Sequence, residues 1–264
     1  MFDKVIVSSD EYFKNFFPIV SYAWRKFFPD VKVAAAFVTD REHDDKSIEK
    51  LKNLYDEVKL FRPINGIPTK NIAKMARFIY ASEMADEVCT IEDVDTIPLQ
   101  SQFFAERTAQ RNKGCLLAVG QEVYKGLPHY ENFPVSTITG EGNVFKKMFN
   151  PDDKPFDSLF NYWETLPDEK GATVSSELFS DEGLIAQLTK ANKPSFIQHI
   201  QRGISPSKDW IDRSNWKLDL NKLKKGQYVT CNFMRPFESY FPAFKDVIDF
   251  IIGEENISSE DLLL

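Results

Sequence analysis

Residues 88–95 read VCTIEDVD, an apolar run that turns directly into a cluster of carboxylates. Residues 88–91 have the length and composition of a buried β-strand. The cluster consists of Glu92, Asp93 and Asp95. Two aspartates separated by one residue on an extended turn can face the same cation, and their hard oxygen ligands suit Mg²⁺ or Mn²⁺. The alternative is a solvated acidic turn, but adjacent carboxylates repel one another unless a cation or nearby basic side chains offset them.

A helix predicted over residues 69–84 leads into this strand. Its apolar side chains share one side, whereas Lys70, Lys74 and Arg77 recur at i, i+4 and i+7 on the opposite side. These cations form either an ordinary solvated face or a set of contacts for a bound diphosphate. Arg77 has apolar neighbours in sequence, so we favour it for a binding site, with Lys70 as a second candidate.

Three more strands are predicted nearer the N-terminus, at residues 4–8 (KVIVS), 31–39 (VKVAAAFVT) and 57–61 (EVKLF), with helices between them. Such strand–helix–strand repetition implies a parallel sheet with right-handed crossovers. In a sheet of this kind, ligands bind beyond the carboxyl ends of the strands. Polar residues follow the first two strands directly, and we expect them to gather with the acidic turn at one edge of the sheet.

The chain beyond residue 100 is less regular. We predict strands at 115–120 and 135–139, helices near 143–149, 180–191 and 245–252, and a long loop or short helices over 150–175. The fold class expected is therefore α/β, with a Rossmann-like, mostly parallel sheet flanked by helices and a less regular C-terminal region. We expect residues 1–264 to form a single domain.

Composition and charge limit the classes of partner that we expect this protein to bind. The formal net charge of −7 argues against a surface built for nucleic acid or anionic lipid, although it allows a small ligand that carries phosphates. Cys89, Cys115 and Cys231 have no CxxC spacing and suggest buried thiols in a reducing compartment. We see no signal-peptide layout and no apolar run long enough to cross a bilayer, so we expect a cytoplasmic protein, with peripheral association with a membrane left open.

Other chemical motifs are sparse. Asp181 and Glu182 precede a predicted helix, where they are either caps or carboxylates that bind acceptor hydroxyls or act as a base. His43, His129 and His199 form no metal-binding pair by spacing. The sequence has no GxGxxG, no P-loop and no GxSxG motif, so it supports neither a dinucleotide fingerprint nor a hydrolase nucleophile.

With these residues in view, the chain resembles glycosyltransferases of the GT-A fold, in particular the group that includes the family eight galactosyl- and glucosyltransferases. Three stretches show the resemblance: VSSDEY at 7–12, MARF at 75–78 followed by IEDVD at 91–95, and SDEGLI at 180–185. The resemblance is good over residues 1–100, thinner to about residue 190 and weak beyond.

The resemblance implies roles for the matching residues. Serines and an aromatic after the first strand would contact the base and ribose, and the two aspartates of the turn would hold Mn²⁺ or Mg²⁺ against the diphosphate. Asp181 and Glu182 would face the sugar or the acceptor. One of them would be the base if the enzyme inverts, whereas a retaining enzyme could work by front-side attack without a base, and the sequence does not decide between the two. The donor-binding candidates are Ser8, Ser9, Tyr12, Asp40, Lys70, Arg77, Asp93 and Arg235.

One segment departs from the family pattern. The family usually adds a late histidine as a third metal ligand, in a segment that ends Lys-Pro-Trp. Here residues 231–237 read CNFMRPF, with Asn232 at the histidine position and Arg235 at the lysine position. Asparagine can coordinate through its carbonyl oxygen, and His199 could substitute from elsewhere. The metal candidates are therefore Asp93 and Asp95, together with Asn232 or His199.

The function expected is that of a hexosyltransferase that moves a sugar from a UDP- or GDP-linked donor to a saccharide or another hydroxyl acceptor. Residues 1–100 would form the nucleotide-sugar-binding half and residues 101–264 the acceptor-binding, closing half. Three alternatives remain open, and the simplest of them is a structural α/β domain with acidic turns. A non-catalytic nucleotide-sugar-binding relative would fit the departure at Asn232. A sugar-phosphate nucleotidyltransferase would share the sheet, but it normally has a Gly-rich loop after the first strand, where this chain has SSDEYF.

Overall fold

The structure is a computed structural model, and it describes residues 1–120, 122, 136–164, 183–184, 188, 196–203, 209–253, 258 and 260–264. The predicted catalytic carboxylates Asp181 and Glu182 lie outside the described residues, as does His129. Within the described part, two sheets and the helices around them account for nearly all regular structure.

The central sheet has seven strands in the order β3-β2-β1-β4-β7-β6-β8, and a small sheet has the order β5-β10-β9. β1 pairs in parallel with β2 and β4, and β2 pairs in parallel with β3, whereas β7 is antiparallel to both β4 and β6. This arrangement confirms the predicted mostly parallel α/β sheet. The strands are β1 (Lys4–Asp10), β2 (Lys32–Val38), β3 (Glu57–Phe61), β4 (Val88–Asp93), β5 (Thr96–Pro98), β6 (Leu116–Val119), β7 (Thr137–Glu141), β8 (Ile197–Ile200), β9 (Trp210–Ile211) and β10 (Thr230–Asn232).

Helices cover both faces of the central sheet. In β1, Val5 and Val7 belong to one apolar cluster and Ile6 to the other, because successive side chains of a strand point to opposite faces. Both faces are therefore buried, which explains why Val5, Ile6 and Val7 form an unbroken apolar run in β1 rather than alternating with polar residues. The helices are α1 (Phe17–Phe27), α2 (Lys46–Leu54), α3 (Thr69–Ser82), α4 (Gln102–Thr108), α5 (Gly142–Phe149), α6 (Phe156–Glu164), α7 (Leu220–Lys224) and α8 (Phe237–Ile252).

The structure refines several predicted boundaries. A 3₁₀ turn precedes α1, and Pro18 lies in the first turn of that helix, where its missing N–H costs nothing. β7 extends through Gly140 and Glu141, which we had expected to follow the strand. α8 begins at Phe237 rather than at residue 245. It contains Pro242, and because an internal proline normally argues against a helix, only the second half of α8 was predicted. None of the described helices is both long enough and apolar enough to span a bilayer.

The small sheet positions the segments around the acidic turn. β5 starts one residue after Asp95, and it pairs with β10, which in turn pairs with β9. The backbone N–H of Phe233 donates to the Asp95 carbonyl at 2.8 Å, so the chain just after β10 is tied to the turn. Residues far apart in sequence thus meet at the carboxyl end of β4.

Candidate functional site

The acidic turn lies beside the end of β1, as the parallel register requires. Val7 is opposite Glu92 and Ser8 is opposite Asp93 in the β1–β4 pairing. The carboxyl ends of these two strands therefore form one continuous edge, where open α/β sheets bind their ligands. The two segments that the sequence analysis selected for donor binding are neighbours in the fold.

Arg77 pairs with the first aspartate of the turn. Its Nη1 donates to Asp93 Oδ1 at 2.6 Å, and the arginine side chain is only 3% exposed. The prediction that Lys70, Lys74 and Arg77 share one face of the helix is therefore wrong. Lys70 and Lys74 are exposed, whereas Arg77 points into the protein. Burial alone would raise the pKa of Asp93, but the charges of Arg77 and two further arginines hold that pKa below its usual range.

Asp95 is a buried anchor for two arginines from the C-terminal part of the chain. Its side chain is 1% exposed, and its Oδ2 accepts from Arg213 Nη1 at 2.6 Å and from Arg235 Nε. Asp95 Oδ1 is buried and has no hydrogen-bond partner among the described residues. Arg235 also lies over the Phe13 ring, with its guanidinium carbon 5.0 Å from the ring centroid. The sequence predicted Arg235 for this site but gave no signal for Arg213.

Glu92 is the third carboxylate of the cluster, and it points into the protein. Its Oε2 accepts from Thr137 Oγ1 at 2.8 Å, and its Oε1 accepts from the Asp93 N–H at 3.2 Å. Burial, followed by the charge of Asp93, raises the pKa of Glu92 well above its usual range. A raised pKa disfavours the ionised form, which lessens the repulsion expected among the carboxylates of this turn.

Three guanidinium groups thus face the two carboxylates of Asp93 and Asp95, one more guanidinium than carboxylate among these five side chains. Such an excess is local, since the whole chain is acidic. A guanidinium recognises phosphate oxygens through forked, charge-assisted hydrogen bonds. The arrangement is therefore suited to an anionic ligand at the end of β4.

The end of β1 is held by local hydrogen bonds that fix the turn. Asp10 is 4% exposed, and it accepts from the Tyr12 N–H at 3.2 Å and from Thr69 Oγ1 at 2.8 Å. Ser9 Oγ donates to the Asp10 carbonyl at 2.9 Å, and Ser8 is buried. The Tyr12 ring is 66% exposed and can stack against a ligand. Thr69 and Asp10 are site-forming residues that the predicted set omitted.

Asp40 and Lys70 are exposed after β2 and at the start of α3. Near Asp40, Glu11 accepts from Thr39 Oγ1 at 2.5 Å and from Arg41 Nε at 2.6 Å. That network joins the segment after β1 to the segment after β2. The structure thus places every described donor-binding candidate along the same edge, and their individual contacts with a nucleotide stay predictions.

A cavity of about 60 Å³ with both polar and apolar walls lies on the other side of β4, between the two sheets. The guanidinium of Arg202 stacks over the Trp210 ring at 3.9 Å there. Thr96 Oγ1 donates to Asn232 Oδ1 at 3.2 Å in the same region. The cavity is lined in part by Glu92, Thr96, Thr137, Arg202, Trp210 and Asn232.

The two candidates for a third metal ligand are placed very differently. Asn232 lies next to the turn, in register with Thr96. His199 lies on the edge strand β8, opposite Ala118 and three strands from β4. Three strand spacings amount to about 14 Å, so this arrangement does not bring His199 to Asp93 and Asp95.

The described residues do not fit a divalent cation as they are arranged. No group of three His, Cys, Asp or Glu side chains comes together among them. Both aspartates of the turn already accept hydrogen bonds from arginines, and the Asn232 carbonyl oxygen accepts one from Thr96. A cation would therefore compete with guanidinium groups for its ligands. The Mn²⁺ or Mg²⁺ expected from the sequence stays a prediction.

Comparison with solved structures defines the fold class. Two structures of the galactosyltransferase LgtC, one in complex with donor and acceptor sugar analogs and one of an active-site mutant, align over 97% and 98% of this chain. The aligned regions cover 98% and 100% of LgtC, with TM-scores of 0.55 and 0.56 and 9% identity. The glycosyltransferase GlyE of Streptococcus pneumoniae aligns over 96% of this chain and 62% of its own, with a TM-score of 0.50 and 9% identity.

The chain therefore has the GT-A fold, in agreement with the family resemblance of its motifs. The bifunctional glycosyltransferase WbbM shows the same likeness over 93% of this chain and 49% of its own, with a TM-score of 0.52 and 10% identity. The sequence matches no protein-family model, and a search of curated proteins finds no match for it. At these identities the solved structures establish the fold, and the chemistry must be argued from the site.

Proposed function

We propose that this protein is a glycosyltransferase that moves a sugar from a UDP- or GDP-linked donor to a hydroxyl group of a saccharide or another acceptor. The observation that supports it best is that Arg77, Arg213 and Arg235 contact the two aspartates of the acidic turn. This turn lies at the edge of the sheet where α/β folds of this kind bind ligands. An anion-binding group at this edge is what a nucleoside diphosphate requires.

The chemistry follows from where charge develops. Breaking the bond between the sugar and the diphosphate leaves negative charge on the departing phosphate oxygens. Preorganised guanidinium groups stabilise that charge without rearranging, which is how such sites lower a barrier. The exposed Tyr12 ring and the hydrogen-bonded turn at Asp10 would receive the base and ribose.

The cavity beside β4 suits the sugar side of the reaction. It presents hydroxyl, amide and guanidinium groups next to the Trp210 ring, and such a mixture recognises sugar hydroxyls and apolar sugar faces. LgtC has been crystallised with donor and acceptor sugar analogs, and it covers nearly this whole chain. The acceptor-side base, for which Asp181 and Glu182 are the candidates, lies outside the described residues.

The test combines binding with turnover. Titration calorimetry with UDP and GDP, each with the matching nucleoside monophosphate as a control, measures whether the diphosphate is recognised. Incubation with UDP-glucose, UDP-galactose and GDP-mannose, followed by NMR, measures release of the nucleoside diphosphate with or without added saccharide acceptors. We expect micromolar binding of one diphosphate, weaker binding of its monophosphate, and release from the corresponding nucleotide sugar.

Each alternative has its own outcome. Tight binding without release from any nucleotide sugar, with or without acceptors, would favour a non-catalytic relative. Formation of pyrophosphate from a nucleoside triphosphate and a sugar phosphate would favour a nucleotidyltransferase. Absence of binding by every nucleoside diphosphate would reject a nucleotide-sugar site altogether.

A further inference from the structure

We infer that Arg213 and Arg235 bind the donor diphosphate directly and that binding needs no divalent metal. This inference rests on the proposed function, since it concerns how the same site holds its donor. It assigns a ligand-binding role to Arg213, which no sequence motif indicates, and it gives Asp95 the role of a positioning residue rather than a metal ligand.

The first support is the layering of the three side chains. Asp95 is 1% exposed, whereas Arg213 and Arg235 are 41% and 40% exposed. The carboxylate therefore lies beneath the guanidinium groups, and the cations lie between it and solvent. A ligand that approaches from solvent meets the arginines before it meets the aspartate.

The second support is the origin of the two arginines. Arg213 starts a 3₁₀ turn that is separated from β9 by Asp212 alone, and Asp212 caps this turn by accepting from the Ser214 N–H at 2.7 Å. Arg235 follows β10, whose last residue is Asn232. Because β9, β10 and β5 form one sheet, both arginines are held by backbone pairing next to the turn. Their positions are therefore built into the fold and do not depend on a chance surface contact.

The third support is charge. Three guanidinium groups already face Asp93 and Asp95, and a divalent cation would bring further positive charge beside them. At Asp95, one carboxylate oxygen already accepts from two guanidinium groups and the other is buried, so a cation would have to enter beneath the arginines. A diphosphate, in contrast, brings negative charge to these exposed guanidinium groups, whose forked N–H donors match the spacing of phosphate oxygens.

The fourth support is the missing third ligand. Asn232 stands where the resembled family has a histidine, and its carbonyl oxygen already accepts from Thr96 at 3.2 Å. His199 is three strands away from β4. The described residues thus lack a good third metal ligand at this turn, and Arg213 and Arg235 supply positive charge there instead.

The experiment measures affinity by calorimetry for UDP, GDP and inorganic pyrophosphate, first with EDTA and then with Mn²⁺. The variants are Arg213→Ala and Arg235→Ala. Arg25→Ala is the matched control, because Arg25 is 43% exposed and also pairs with an aspartate, Asp56, away from the site. Electron paramagnetic resonance of Mn²⁺ alone measures metal affinity without a nucleotide.

We expect the nucleoside diphosphate to bind equally well, within about twofold, in EDTA and in Mn²⁺. Loss of one charge-assisted hydrogen-bonding group lowers affinity by about tenfold or more, so we expect that loss in each of the two site variants. The control should bind as the wild type does, and Mn²⁺ alone should show no micromolar site. Circular dichroism would verify that the variants, whose changed side chains are partly exposed, remain folded.

Three results would overturn the inference. Nucleotide binding that disappears with EDTA, together with a micromolar Mn²⁺ site, would show that a metal holds the diphosphate, and the glycosyltransferase proposal would stand. Absence of binding by all three ligands under both conditions would reject the proposed function and this inference together. Unchanged affinity in both arginine variants would also overturn it, because the diphosphate would then lie elsewhere.

Discussion

Arg77 Nη1 lies 2.6 Å from Asp93 Oδ1, and this ion pair joins the buried face of α3 to the carboxyl end of β4. The two side chains are unequally buried, with the arginine 3% and the aspartate 32% exposed. The guanidinium is thus held by the fold, while the carboxylate reaches the surface of the site. Arg77 fixes the charge of Asp93, because it is the largest of the charges that lower the pKa of that carboxyl against the effect of burial.

Replacing Arg77 with methionine should raise the pKa of Asp93 and destabilise the fold. A hydrogen bond to a charged group contributes about 2 kcal/mol, and we expect a loss of that order near pH 7. A folded-state pKa below the unfolded value stabilises the protein above that value, and this contribution is lost as pH falls. The difference in free energy of unfolding between wild type and variant should therefore shrink below about pH 4. Urea denaturation from pH 3 to 8 measures it.

The exposed Lys74, on the same helix, provides the control for that series. Lys74→Met removes one positive charge from α3 without touching the ion pair described here. It should change the free energy of unfolding by less than about 0.5 kcal/mol. A variant of Arg77 with the same pH dependence as the wild type would show that the ion pair contributes nothing to stability.

The three cysteines should differ sharply in reactivity. Cys89 and Cys231 are buried, whereas Cys115 is half-buried. Burial raises the pKa of Cys89 to about 12, and burial together with Asp95 and Asp212 raises the pKa of Cys231 well above its usual range. Because the thiolate is the reactive form, we expect one thiol to react with Ellman's reagent at pH 8 in the native protein and all three after unfolding. Cys115→Ser should abolish the native reaction, and a second fast thiol would contradict the burial pattern.

Gly142 begins α5 at a point where the backbone of α3's C-terminal turn comes very close. A Cβ at this position would lie 2.2 Å from the Met84 carbonyl oxygen and 2.7 Å from that of Ala81. Both obstacles are backbone atoms, so the helix itself must shift. We expect Gly142→Ala to destabilise the protein by about 2–3 kcal/mol, measured by urea denaturation. Asn143→Ala, at the neighbouring exposed position, is the control and should cost far less.

The half of the fold that contains the first four strands could be predicted from local patterns. β3 matches its predicted range, and β1 and β4 extend two residues past theirs into the polar turns. Short apolar runs, helical spacing and strand-end polar residues are all properties of adjacent sequence. Together they predicted correctly that the acidic turn lies at the carboxyl edge of the sheet, beside the end of β1. The antiparallel direction of β7 could not be predicted, because it depends on the end of the sheet from which the chain enters β7.

The site could be predicted only where its residues are close in sequence or share a family motif. Arg77 and Asp93 are 16 positions apart on consecutive elements, whereas Arg213 and Asp95 are 118 positions apart. Arg213 lies in a charged stretch with no periodicity, and only the pairing of β9 with β10 brings it to the turn. The burial of Arg77 could not be predicted either. Helical spacing shows that three cations share one side of a helix, but it does not show which neighbouring element covers part of that side.

Replacing Glu92 with glutamine should stabilise the protein at high pH and change little at low pH. Burial raises the folded-state pKa of Glu92 well above its unfolded value, so this group's contribution is fully present below about pH 4 and is lost as pH rises through the folded-state pKa. Glutamine keeps the shape and an oxygen acceptor for Thr137 but cannot ionise. The free energy of unfolding of the wild type should therefore fall relative to the variant between pH 5 and pH 9. Glu49→Gln, at an exposed position, is the control and should show no such trend, and parallel curves for wild type and Glu92→Gln would mean that Glu92 is ionised in the folded protein.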